Sequence, residues 1–167
     1  NNELADNLGN YVNRVISLVN RYFEGETPNI DSELLYHLES KKDRFLGLFD
    51  YTSDYDYYER SYFQILNPTN KDLYNKSIKG KLERLMENYK IREAFYEIMM
   101  VSRSGNWFLQ EKAPWKLVKD FEENRVEIES NLNYSLQYVA NFAILLKPFL
   151  PDTSIKIFRM LNINPDL

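Results

Sequence analysis

The stretch LADNLGNYVNRVISLVNRYFEG, residues 4–25, decides the fold class, because its apolar residues recur every three or four positions. That spacing places them along one side of an α-helix. Gly25, followed by Pro28, is typical of a helix end, so the sequence predicts a helix over residues 2–24. The opposite side carries a polar stripe made of Asn10, Arg14, Ser17 and Arg21. On the residues alone, this stripe is interpreted as a solvated surface.

The same helical period continues through residues 79–109, the longest predicted helical segment, and through residues 124–146. Pro148 ends the second of these segments, and Asp152 or Thr153 can cap a last helix. No stretch alternates apolar and polar residues in the manner of a strand. The sequence therefore predicts an all-α helical bundle.

Between those segments lies FLQEKAPWKLVKD, residues 108–120, in which a large indole follows Ala-Pro among lysines and acids. Pro114 suits the first turn of a helix, so we predict a short helix over residues 114–121 with Trp115 in its opening turn. On the residues alone, core or interface packing is the favoured interpretation for Trp115. Trp107, beside two apolar neighbours on the long helix, has the stronger claim to a structural role.

Composition restricts the class of protein. The 167 residues include no cysteine and one histidine, His37, which excludes disulfides and the usual zinc sites, so no metal is expected. No apolar run approaches the length of a membrane span. The length fits a single domain over residues 1–167. Within it, residues 26–78 are acidic and rich in tyrosine, which we interpret as an acidic aromatic surface.

Charge is unevenly distributed along the chain. The formal net charge is −4, and residues 26–75, with 10 acidic and 5 basic residues, carry a local charge of −5. The remainder has a net charge of +1, and residues 100–120 are locally basic. A basic face on an acidic protein can still hold a phosphate backbone, with marked salt dependence.

Catalytic motifs are missing from the sequence. It contains no phosphate-binding glycine loop, no dinucleotide fingerprint and no nucleophile elbow. Carboxylates are plentiful, but none forms an evident acid–base pair. We therefore predict no catalytic residues and expect the chain to bind or scaffold a partner.

Three stretches together resemble one family. Residues 4–25, residues 108–120 and ANFAILLKPFLPDTSIKIFRMLNI at residues 140–163 are similar in order and spacing to the anticodon-binding domain of methionyl-tRNA synthetase. The wider class I group, which includes the leucyl, isoleucyl and valyl enzymes, shares a helical-bundle anticodon domain. The pattern LGN-x-x-N-R and the later APW favour the methionyl member. Residues 26–78 depart from the family pattern because they are longer and more acidic.

The resemblance implies roles for individual residues. In the family, an Asn and an Arg one turn apart on the first helix meet the anticodon, and a Trp after Ala-Pro stacks on one of its bases. The matching positions here are Asn10, Arg14 and Trp115, and the base read would be the first of a CAU anticodon. Charge and proximity, rather than the family motif, lead us to add three candidate phosphate-binding residues, namely Lys112, Lys116 and Lys119.

The family's catalytic half carries HIGH-like and KMSKS-like signatures, and neither occurs in this sequence. We therefore expect the chain to be the C-terminal helical domain of a methionine–tRNA ligase, with no cofactor of its own. ATP and methionine would bind a catalytic domain that is absent from this chain but belongs to the same polypeptide. The expected partners are that domain and methionine tRNA with a CAU anticodon, in the cytoplasm and without a membrane.

Two alternatives stay open at this point. The chain could be the anticodon domain of an isoleucyl-, leucyl- or valyl-type enzyme, which would differ in base preference. It could also be a helical protein-interaction bundle without RNA binding, for which the tyrosine-rich residues 50–62 are the best support.

Overall fold

Helices account for all the regular structure in the computed structural model, which describes residues 4–29 and 78–165. Within those two ranges no strand occurs, and the prediction of an all-α bundle is confirmed. In chain order the elements are a π-helical turn Leu4–Gly9, α1 Asn10–Phe23, α2 Ile78–Glu87, α3 Ile91–Lys112, α4 Pro114–Leu117, a 3₁₀ turn Val118–Asp120, α5 Phe121–Leu146 and α6 Pro151–Met160. His37 and the tyrosine-rich residues 50–62 lie outside the described residues.

Helix α1 follows the predicted apolar pattern over Asn10–Phe23, whereas the first part of the helix predicted over residues 2–24 is the π-helical turn Leu4–Gly9. Its apolar side is buried through Tyr11, Val12, Val15 and Val19. The polar stripe lies on the exposed or half-buried side, as predicted. The helix ends where Glu24 takes the left-handed conformation at φ 55° and Gly25 follows at φ 83°. The predicted stop at this glycine is therefore confirmed.

The prediction of one helix over residues 79–109 is wrong, because the chain turns between α2 and α3. Tyr89 takes the left-handed conformation at φ 57°. Its N–H donates to Met86 O at 3.0 Å, and the Lys90 N–H donates to Leu85 O at 2.8 Å. This pair of bonds is the Schellman pattern, which normally has glycine at the left-handed position. A tyrosine there gives no sequence signal for a helix end.

The predicted side-chain cap of the last helix is also wrong. Helix α6 begins with Pro151 in its first turn, and the residue before it, Leu150, has no side chain that can accept a capping hydrogen bond. Proline's fixed φ starts the helix without such a cap. Asp152 lies inside the first turn, where its negative charge interacts favourably with the positive end of the helix dipole.

Helices α1, α3 and α5 share the core around Gly105 of α3. A Cβ on this glycine would lie 2.7 Å from Tyr11 Cζ and 2.8 Å from Tyr138 Cε1, so the two rings pack directly on the α3 backbone. The Tyr11 and Tyr138 rings meet edge to face with centroids 5.5 Å apart. Their close approach brings the start of α1 against the middle of α3, which positions the candidate site.

Candidate nucleic-acid interface

The turn between α3 and α4 presents Trp115. Ala113 ends α3 in the left-handed conformation at φ 40° and ψ 54°, which costs an L-residue roughly 1–2 kcal/mol. Pro114 then starts α4 and is fully buried. The Lys116 N–H donates to Ala113 O at 2.8 Å and closes the first turn. Trp115 therefore lies in the opening turn of a new helix, as its sequence context predicts.

Trp115 is neither a core residue nor a free surface indole. It is half-buried and packs against the edge of the hydrophobic core. The Arg14 guanidinium lies over the indole ring, with Cζ 5.0 Å from the ring centroid. A cation at this distance is attracted to the negative face of the ring. The structure thus brings together Arg14 and Trp115, two site residues that are about 100 positions apart in the sequence.

A third residue joins this pair and was not predicted. Gln110, near the end of α3, accepts a hydrogen bond from Arg14 Nη2 through its Oε1 atom at 3.2 Å. The guanidinium is therefore held on one side by an indole and on another by an amide oxygen. Gln110 lies five residues before Trp115, but an exposed glutamine on an amphipathic helix is ordinary. No sequence signal singles it out.

Asn10 is the first residue of α1 and is exposed. It precedes Arg14 by one helical turn, so it lies on the same side of α1, about 6 Å along the axis. Its amide offers both a donor and an acceptor to a ligand bound beside Arg14.

The three candidate lysines differ in their placement. Lys116 on α4 and Lys119 in the following 3₁₀ turn are both exposed. Lys112 ends α3, is half-buried and has an interaction partner within the chain. The exposed carboxylates of Glu111 and Asp120 are close in sequence, so the local excess of positive charge is modest. A phosphate-binding role for these lysines stays a prediction.

Trp107 lies on α3, half-buried, with an interaction partner of its own. Its neighbour Phe108 contacts Tyr134 of α5 with ring centroids 4.8 Å apart.

In the part of the chain that the structure describes, no helix is long and apolar enough to cross a membrane. In the same part, no group of His, Asp and Glu residues is arranged to hold a metal ion.

The all-α bundle and the short helix that presents Trp115 fit the class that the sequence resemblance implies, an anticodon-binding domain of the synthetase type. A family model described as the anticodon binding domain of methionyl tRNA ligase matches residues 68–166. The chain belongs to this family.

Curated relatives extend the similarity across almost the whole chain. The methionine–tRNA ligase of Parabacteroides distasonis is 35% identical over 165 residues, 99% of this chain and 19% of that protein. The methionine–tRNA ligase of Pyrococcus abyssi is 33% identical over 164 residues, 98% of this chain and 18% of that protein. The chain thus spans less than a fifth of the length of these relatives. The match includes α1, which the family model does not reach.

Proposed function

We propose that this domain recognises the CAU anticodon of methionine tRNA, and that Trp115 and Arg14 are its reader. The observation that carries the proposal is the Arg14 guanidinium lying 5.0 Å from the Trp115 ring centroid on a solvent-accessible side of the bundle. A flat aromatic surface and a planar donor meet at one place, and an unstacked base can be stacked by the first and hydrogen-bonded by the second. The family membership of the chain supports the same function.

In this proposal the indole and the guanidinium have separate tasks. A base extruded from the anticodon loop stacks on Trp115, which contributes roughly 1–3 kcal/mol with little regard to base identity. Discrimination then comes from hydrogen bonds to the base edge. Arg14 moves from the indole to the acceptors of the first base, cytosine. Asn10, one turn away on α1, supplies a donor or an acceptor to the same base.

The exposed Lys116 and Lys119 follow Trp115 on α4 and in the 3₁₀ turn, and we propose that they approach the phosphates beside the stacked base. Lys112, at the end of α3, is the third member of this set. Each phosphate contact would make binding weaker at high salt without changing the base preference.

We further propose that the whole protein is a cytoplasmic methionine–tRNA ligase, which joins methionine to its tRNA at the expense of ATP. ATP and methionine would bind a catalytic domain outside this chain. The curated relatives, which are named as such ligases and are about five times longer, support this proposal. Joined to a catalytic domain, the anticodon site would raise the effective concentration of the tRNA at the second site.

The test is a titration of the 167-residue chain with a CAU anticodon stem-loop and with a loop in which G replaces C, at low salt. Wild type should prefer the CAU loop, and Trp115→Ala should bind it roughly 5–150-fold more weakly. Trp107→Phe is the matched control because it removes the other indole, and it should bind as wild type does. Equal affinity for both loops, unchanged by Trp115→Ala, would contradict the proposal and leave only attraction by charge.

A further inference from the structure

Asn106 of α3 makes a hydrogen bond across the bundle to the segment before α1. Its Nδ2 atom donates to the backbone carbonyl of Asn7 at 2.6 Å, and a longer contact of 3.4 Å reaches Ser102 O. Both neighbours of Nδ2 are acceptors, so a carbonyl oxygen in its place would be repelled. The Asn106 Oδ1 atom is buried with no hydrogen-bond partner in the described part of the chain. The Asn106 amide therefore makes the bond to Asn7 although its Oδ1 atom is left buried without a partner in that part of the chain.

The accepting carbonyl of Asn7 lies in a π-helical turn. Asn7 belongs to the π-helical turn Leu4–Gly9, which leads directly into Asn10 at the start of α1. π-Helical turns are rare, and those inside α-helices are frequently found at functional sites. The direction in which α1 leaves this turn decides where its side chains point. A side-chain donor from α3 that holds the turn therefore helps to set the direction of the first two turns of α1.

Three contacts join the π-helical turn and the start of α1 to residues 105–110 of α3. Asn106 holds the Asn7 carbonyl, Gly105 receives the Tyr11 ring, and Gln110 accepts from Arg14. Asn7 in the π-helical turn and Tyr11 and Arg14 on α1 are four and three residues apart, a spacing close to that of one helical face. A slip by one residue would rotate each side chain by about 100°. It would turn Arg14 away from the indole.

We infer that Asn106 is a positioning residue for anticodon reading: its bond to Asn7 sets the register of α1 so that Arg14 and Asn10 face the base stacked on Trp115. Asn106 acts through the backbone of α1 and does not itself read the base. This role rests on the proposed function of Arg14 and Trp115.

The chain offers a matched control. On α5, Asn133 Nδ2 donates to the backbone carbonyl of Pro28 at 2.6 Å, across 105 residues of sequence. This bond has the same donor, the same kind of acceptor and the same length as the Asn106 bond, but it holds the segment after α1. Asn106→Leu and Asn133→Leu therefore each lose a hydrogen bond to the backbone on one side of α1, and Asn133→Leu also leaves Gln137 Nε2 without its acceptor, Asn133 Oδ1. Both variants should unfold at a lower temperature than wild type.

Only Asn106→Leu should lose base discrimination. We expect its preference for the CAU loop over the G-substituted loop to fall about tenfold or more, since one well-placed base contact gives discrimination of that order. Asn133→Leu should keep the wild-type ratio within about twofold. Asn106→Asp, nearly identical in shape, should reproduce the loss because a carboxylate oxygen would then face the Asn7 carbonyl.

A second readout needs no RNA. The Arg14 Nε–H resonance of isotopically labelled protein reports the ring current of the indole below it. It should move toward its unstructured value in Asn106→Asp and remain at the wild-type value in Asn133→Leu. Unchanged base preference in Asn106→Asp would overturn the positioning role, and an unchanged resonance would show that Arg14 keeps its place on the indole without the Asn106 bond. If wild type itself shows no base preference, the proposed function fails, whereas preference kept by the Asn106 variants refutes only the inference.

Discussion

Gly105→Ala is the substitution that most directly tests how the site is positioned. An alanine Cβ would lie 2.7 Å from Tyr11 Cζ and 2.8 Å from Tyr138 Cε1, where ordinary contact begins at 3.4 Å. The rings would have to retreat by about 0.7 Å, and both are buried, so neither can move without displacing the core. Overpacking of this kind costs about 1–3 kcal/mol. The upper part of that range applies here because two rings are affected at once.

The helix propensity of alanine opposes this cost. Replacing glycine by alanine inside a helix gains up to about 1 kcal/mol. The free energy of unfolding should therefore fall by about 1–2 kcal/mol, which lowers Tm by about 2–8 °C in a chain of this length. Urea denaturation followed by far-UV circular dichroism measures the change, with an unaltered slope expected.

Gly9→Ala is the matched control. Gly9 has helical dihedral angles of φ −59° and ψ −41°, and an added Cβ would meet nothing within 4 Å. Alanine should raise the free energy of unfolding there by about 0.5–1 kcal/mol. If Gly105→Ala stabilised the chain as much as Gly9→Ala, the close approach of the tyrosine rings would be refuted.

Tyr89→Gly should raise the free energy of unfolding by about 1 kcal/mol, because Tyr89 is 89% exposed and takes a left-handed conformation that glycine adopts without cost; thermal melts measure this change. Burial raises the pKa of Tyr11 and that of Tyr138 above their ordinary value near 10, so the folded chain holds both protons at a pH where the unfolded chain releases them. The free energy of unfolding should therefore stay level up to a pH of about 10 and fall as the pH rises further, and urea titrations of Tyr11→Phe should show a shallower fall. A stability equal at pH 8 and pH 11 would contradict the burial of these hydroxyls.

The helices were predictable from the sequence where apolar period and proline agreed. The apolar residues of 124–146 lie within α5, where most are buried although Val126 is 47% exposed, and Pro114 begins α4 as its fixed φ predicts. The break at Tyr89 was not predictable, because a tyrosine and not a glycine takes the left-handed conformation there. The turn is closed by hydrogen bonds to the backbone carbonyls of Leu85 and Met86.

The candidate site was only partly accessible to sequence reasoning. Family motifs point to Asn10, Arg14 and Trp115 one by one, but no local pattern indicates that a guanidinium lies on the indole. Gln110 and Asn106 escaped prediction for one reason. A polar residue on an amphipathic helix is normally solvated, and only the packing of α1 against α3 gives these two amides a partner on another helix.

The Arg14 guanidinium competes with any ligand that stacks on the same face of Trp115. A flat molecule can stack on that face only after it has displaced the Arg14 side chain. A cation–π contact at an accessible site contributes about 0.5–1 kcal/mol, so displacement weakens a ligand that does nothing more than stack by about two- to fivefold. A ligand whose edge gives the released arginine new acceptors recovers that loss. The contact between Arg14 and Trp115 thus favours ligands that both stack on the indole and accept hydrogen bonds from the arginine, independently of any contact with a phosphate.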